Sequence, residues 1–210
     1  MTGTLHSSEA KIMPGAGGRP LPVTTPISAC RAREAACLVL LGLAAADGGA
    51  TVEEAAAVLA HVAAGDWHPP ADLLRTAAER LLDTAHARAM ADGRFQATPA
   101  GCEALDCLLT APVPAPVDAV TRVVLSLRLC LLDRLPPEAR AMQADALASA
   151  YGAVLDRRYV EAERFCNGMP LLGLWSRERG RRLEAERELC ARVRDLFAFS
   201  GPGEAMAASG

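Results

Sequence analysis

Arg75, Thr76 and Arg80 lie within six residues of one another in a stretch of helical spacing, and Arg94 and Gln96 follow beyond a turn signal. Guanidinium, hydroxyl and amide groups hydrogen-bond the base edges and phosphate oxygens of duplex DNA, so these five are the candidate nucleic-acid contacts. The competing reading makes the arginines solvated partners of Glu79 and Asp83 at helical spacing. Other chemistry has less to work with. His6, His61, His68 and His86 have no Cys, Asp or His at a ligand spacing, and the seven cysteines form no Cys-x-x-Cys, so no metal is expected. The cysteines read as free thiols acting as small buried hydrophobes, with Cys166, beside Asn167-Gly168, as the exposed one. Without a Gly-rich phosphate loop, a Gly-x-Ser-x-Gly or paired carboxylates outside amphipathic faces, neither catalysis nor a cofactor is expected.

Helices must position the candidate contacts. Of 210 residues, 51% are apolar and 43 are alanine, enough to bury one or two cores, to exclude disorder throughout and to favour helix. Arg31 to Ala46 reads as a first helix that buries Cys37, Leu38, Leu40, Leu41 and Leu43. Thr51 and Glu54 have capping-box spacing and open a second, with Val52, Ala55, Leu59 and Val62 inward. After Trp67-His68-Pro69-Pro70, Asp72 caps a third helix, in which Leu74, Ala77, Ala78, Leu81 and Ala85 face the core. Asp92-Gly93 then suits a two-residue hairpin turn between 88–91 and 94–97, and Thr98-Pro99 opens an exit helix. Three helices, a hairpin and an exit helix are the order of parts in a winged helix-turn-helix, whose third helix enters the major groove.

Residues 1–28 and 200–210 are rich in Gly, Pro and small residues and read as disordered tails. The alternating prolines of 111–117 read as a linker between a winged helix-turn-helix domain over 29–110 and a helical dimerisation domain over 118–199. In that second part 118–135 reads as one helix, Pro136-Pro137-Glu138 opens another to about Phe165, and a last runs from Leu171 to Phe199. The last helix carries Leu183, Leu189, Val193 and Leu196 as the stripe expected to bury itself against a second copy. The longest charge-free run of the ordered part, Ala35 to Ala46, has 12 residues, short of a membrane span, and no secretory signal is evident at the N-terminus, so the expected location is the cytoplasm.

Trp67, Pro69, Leu74 and Arg80-Leu81, followed by Thr98, Gly101 and Leu105 on the hairpin exit, resemble the PadR family of bacterial transcriptional regulators. The family's Tyr and Pro fall on Arg75 and Thr76, and Thr51-Val52-Glu53-Glu54 stands where the family has Gly-Tyr-Glu. Leu131 to Pro137 and Leu183 to Leu189 are similar to helices of its dimerisation region. The resemblance implies a mainly α fold, an N-terminal winged helix-turn-helix followed by an all-helical dimerisation region. It implies a homodimeric repressor that binds operator DNA under control of a small aromatic or hydrophobic effector, with Tyr151 and Trp175 as the residues to stack on that effector. Against DNA binding stands the charge of residues 31–110, where six arginines meet eleven acids for a balance of −5. The alternative is a degenerate winged-helix module that works through protein contacts.

Overall fold

A computed structural model describes residues 27–63, 65–166 and 168–199. The expected tails fall outside these residues, except that Ile27 and Ser28 already belong to the first helix. The described chain is mainly helical: α1 Ile27–Ala44, α2 Val52–Ala63, α3 Leu73–Asp83, β1 Ala87–Ala89, β2 Phe95–Ala97, α4 Pro99–Thr110, α5 Ala119–Cys130, α6 Pro137–Cys166 and α7 Pro170–Phe199. No described helix is long and apolar enough to cross a membrane.

The capping box forms as its spacing predicts. The Thr51 amide donates to Glu54 Oε2 at 2.9 Å, and the Glu54 amide donates to Thr51 Oγ1 at 3.1 Å, satisfying two otherwise orphaned N–H groups of α2. The α3 cap does not form. Asp72 itself has helical dihedrals, φ −93° and ψ −9°, so its side chain cannot reach back, and Leu73 N–H donates to the Pro70 carbonyl instead. Leu74, Ala78 and Leu81 are buried as expected, but Ala85 lies past the helix end, exposed and with φ +57°.

Strands β1 and β2 pair antiparallel, with Ala87 opposite Ala97 and Ala89 opposite Phe95. The turn is longer than two residues. Met90 N–H donates to the Arg94 carbonyl and Gly93 N–H to the Met90 carbonyl, leaving 91–93 as a three-residue loop in which only Gly93, at φ +80°, needs the left-handed region. Phe95 also exchanges both backbone hydrogen bonds with Ala50, which ties the hairpin to the α1–α2 turn. Thr98 caps α4 by accepting from the Gly101 amide at 3.1 Å, with Pro99 at the first helical position. A Cβ on Gly101 would stand 1.9 Å from the His86 carbonyl oxygen, so only glycine lets α4 pass this close to the hairpin.

The proline segment 111–117 carries the chain from α4 to α5, and α5 returns to pack against α1 and α2. Expected to run on to 135, α5 stops at Cys130, and a short 3-10 turn over Leu132–Arg134 leads to α6. Thr121, Val123, Val124, Leu125, Leu127 and Arg128 are all buried, so α5 is covered nearly all round and lies at the centre of one apolar cluster running from α1 to α7. Helices α6 and α7 form a long antiparallel pair, the most extensive helix contact of the molecule. The thiols depart from expectation. Among the described side chains Cys190 is the only buried thiol and Cys37 is half-buried, while Cys30, Cys102, Cys107 and Cys130 are exposed, because the inward sides of their helices are already filled by residues such as Gly101, Leu105 and Leu109 on α4. The side chain of Cys166 lies outside the described residues.

Candidate functional site

Arg75 and Arg80 are both exposed on α3, and among the described residues neither guanidinium makes an ion pair or hydrogen bond with Glu79, Asp83 or any other group. They do not share a ridge. Five residues on a helix place them about 140° apart, on opposite shoulders of the outward face, with Thr76, Glu79 and Asp83 between them. Arg80 and Thr76 border a cleft of about 470 Å³ against α1, whose wall includes Arg33, Cys37, Leu73 and Ala77. Burial pushes the Cys37 thiol up, more strongly than the Arg80 charge draws it down.

The hairpin arginines are already engaged. Arg94 donates to the carbonyls of Gly48 at 2.8 Å and Gly49 at 2.9 Å, and its Nη2 meets both oxygens of Glu54 at 3.1 and 2.9 Å. Expected to reach phosphate, Arg94 instead clamps the hairpin to the α1–α2 turn. The Thr51 amide and this guanidinium hold the Glu54 carboxyl below its ordinary value. Arg88, across the strand from Gln96, donates to its Oε1 at 2.6 Å, giving one exposed polar pair on the hairpin surface.

The expected dimer stripe divides. Leu183 is buried in the chain's own core and Val193 packs against that core, whereas Leu189 and Leu196 are 50% and 67% exposed. Leu171 and Leu174 on α7 and Val160 on α6 add to the outer apolar surface of the pair.

Tyr151 and Trp175 are separated in environment. Tyr151 is buried on α6 beside Glu186, and burial together with that carboxylate pushes its hydroxyl up. Trp175, 53% exposed, lines a cleft of about 420 Å³ with Asp66, Arg122, Arg158, Arg179 and Arg182. The cleft sits where the α2–α3 connector meets α5, α6 and α7. Asp66 joins these elements: Arg182 Nη1 donates to its Oδ1 at 2.7 Å, and Arg122 Nη2 stands 3.5 Å from its Oδ2. Burial works against ionisation of Asp66, but the two arginines hold its carboxyl below the ordinary value. Arg182 Nε also donates to Glu186 at 3.3 Å, so a polar chain links the connector to Tyr151. The spacing of Trp175, Arg179 and Arg182 on one face of α7 was a usable sequence signal for this cleft; Arg122 and Arg158 gave none.

Among the described residues, no three His, Cys, Asp or Glu side chains gather as a metal site. Neither a scan against protein-family models nor a search of curated proteins finds a match to this chain.

Proposed function

We propose that the protein is a PadR-like DNA-binding transcriptional regulator, a ligand-responsive homodimeric repressor built on an N-terminal winged helix-turn-helix. The observation that carries the reading is Arg75, exposed on α3 next to Thr76 with no protein partner among the described residues. A guanidinium kept out of ion pairs, with a carboxylate four residues away, is available for a bidentate contact to a guanine edge. Helix α3 reads the operator, Arg80 and the Arg88–Gln96 pair contact backbone, and the outer surface of α6 and α7 around Leu189 joins two copies. Trp175 lines the effector site. The direct test is titration of the purified protein against its own upstream DNA and a scrambled duplex at several salt concentrations. The regulator binds its own site at least about a thousandfold tighter. Equal affinities that both vanish with added salt leave counterion release alone and remove the reading.

A second reading, a winged-helix module that acts through protein contacts, draws on specific features too. Residues 31–110 carry a balance of −5, Glu79 and Asp83 occupy the middle of the outward face of α3, and Arg94 is spent on Glu54. Each repels phosphate or withholds a cation from it.

A further inference from the structure

The cleft beside Trp175 holds more positive charge than its own carboxylates neutralise. Four guanidinium groups, from Arg122, Arg158, Arg179 and Arg182, line it with the carboxylates of Asp66 and Glu178, and Glu186 beside it takes a further bond from Arg182. Asp66 is shared between Arg122 and Arg182, and Glu178 is engaged by Arg181, which does not line the cleft. Arg158 therefore has no ion pair among the described residues, and the guanidinium of Arg179 has only the Trp175 ring, 5.0 Å from its centroid. The Nε–H of Arg122, on a side chain only 14% exposed, is buried with no acceptor. A buried guanidinium donor left unmade is costly unless an acceptor arrives from outside the chain.

We propose that this cleft binds a phosphate monoester carried on a planar ring. The guanidinium groups converge from α5, α6 and α7, and a compact dianion with several oxygens on one centre meets such an arrangement best, because each guanidinium offers a planar fork to two oxygens. Its two charges suit the two guanidinium groups of the lining, those of Arg158 and Arg179, that no carboxylate pairs among the described residues. The half-exposed indole, already carrying a cation near its ring, supplies an apolar wall for a flat ring, and about 420 Å³ accommodates a molecule of nucleotide size. The proposal rests on the regulator reading only in calling this ligand the effector; binding itself does not depend on DNA.

The test is isothermal titration of the full chain, without DNA, with adenosine monophosphate, adenosine, inorganic phosphate and malonate. Adenosine monophosphate binds, and each of the other three binds at least about tenfold more weakly. Arg158→Gln and Arg179→Gln each weaken adenosine monophosphate by about tenfold without changing the melting temperature, since neither side chain has a carboxylate to lose. Arg192→Gln, elsewhere on α7, binds as wild type does. Equal binding of adenosine and adenosine monophosphate, malonate binding as tightly as the nucleotide, unaltered affinity in the two arginine variants, or no heat with millimolar nucleotide would each overturn the proposal. A chain that binds the nucleotide but no DNA keeps this site and loses the regulator reading.

Discussion

The arginines of the inner seam and those on the face of α3 have the same side chain and opposite situations. In the seam, Arg128 is 2% exposed, meets Glu34 at 2.5 Å and donates to the Ala111 carbonyl at 2.8 Å, thereby joining α5, α1 and the proline segment. Arg94 does the same for the hairpin through Glu54, Gly48 and Gly49. On α3, Arg75 and Arg80 hold no acceptor at all among the described residues. A guanidinium surrounded by carbonyl and carboxylate oxygens is consumed in holding elements together; one without them keeps its donors for an outside anion. The two groups should therefore fail differently when removed.

The largest effect belongs to the seam. Arg128→Ala takes the buried guanidinium from the half-buried Glu34, which keeps only Arg31, and from the Ala111 carbonyl, and should cost about 3 kcal/mol in denaturant unfolding. A loss under about 1 kcal/mol would break the distinction, since that is what exposed pairs contribute. Next comes the contrast within α7: Leu183→Glu should cost about 2–3 kcal/mol, because it puts a polar group into the core. Leu189→Glu should keep the fold and convert a particle of about 44 kDa by light scattering, twice 22.0 kDa, into monomer. Should Leu189→Glu leave the particle mass unchanged, that surface is not the contact between copies. Arg94→Ala should cost about 1–2 kcal/mol and speed hydrogen exchange at Ala50 and Phe95, whose paired amides it helps to hold. A variant with unchanged stability would return Arg94 to the outward group. The smallest effect is in pH. Glu54 has a lowered folded value, so its contribution is fully present above the ordinary carboxylate value and disappears as pH falls through the lowered one. The melting-temperature gap between wild type and Glu54→Gln should therefore hold at neutral pH and close in acid; a gap that persists would mean the clamp does not depend on the charge.

Features that depend on neighbours in sequence were legible, and those that depend on distant partners were not. The Thr51–Glu54 box, the Thr98-Pro99 start of α4, the Pro137 start of α6 and the break before Pro170 all rest on local backbone needs. The burial of Arg128 is invisible in a helix read as an apolar stripe, because its acceptors come from α1 and the proline segment. The partners of Arg94 are hidden for the same reason: its carbonyl acceptors lie about 45 residues away in a turn that the hairpin reaches only after folding. Asp72 failed even locally, since a turn closing on Pro70 supplied a helix entry that needs no side-chain cap. Of the candidate contacts, the outward position of Arg75 followed from α3 periodicity alone, because the burial of Leu74, Ala78 and Leu81 turns residue 75 away from the core.

Arg75, unlike Arg94 and Arg128, has a guanidinium without an acceptor among the described residues, which is why the proposed DNA contact falls on it. That contact is tested most directly by the ratio of affinities for the upstream site and a scrambled duplex, measured for wild type and Arg75→Ala at one fixed salt concentration. The expected result is a ratio lowered by about 1–3 kcal/mol in the variant, nearly all of it from the upstream site, with the melting temperature unchanged. A folded Arg75→Ala protein that keeps the wild-type ratio would contradict the proposed contact.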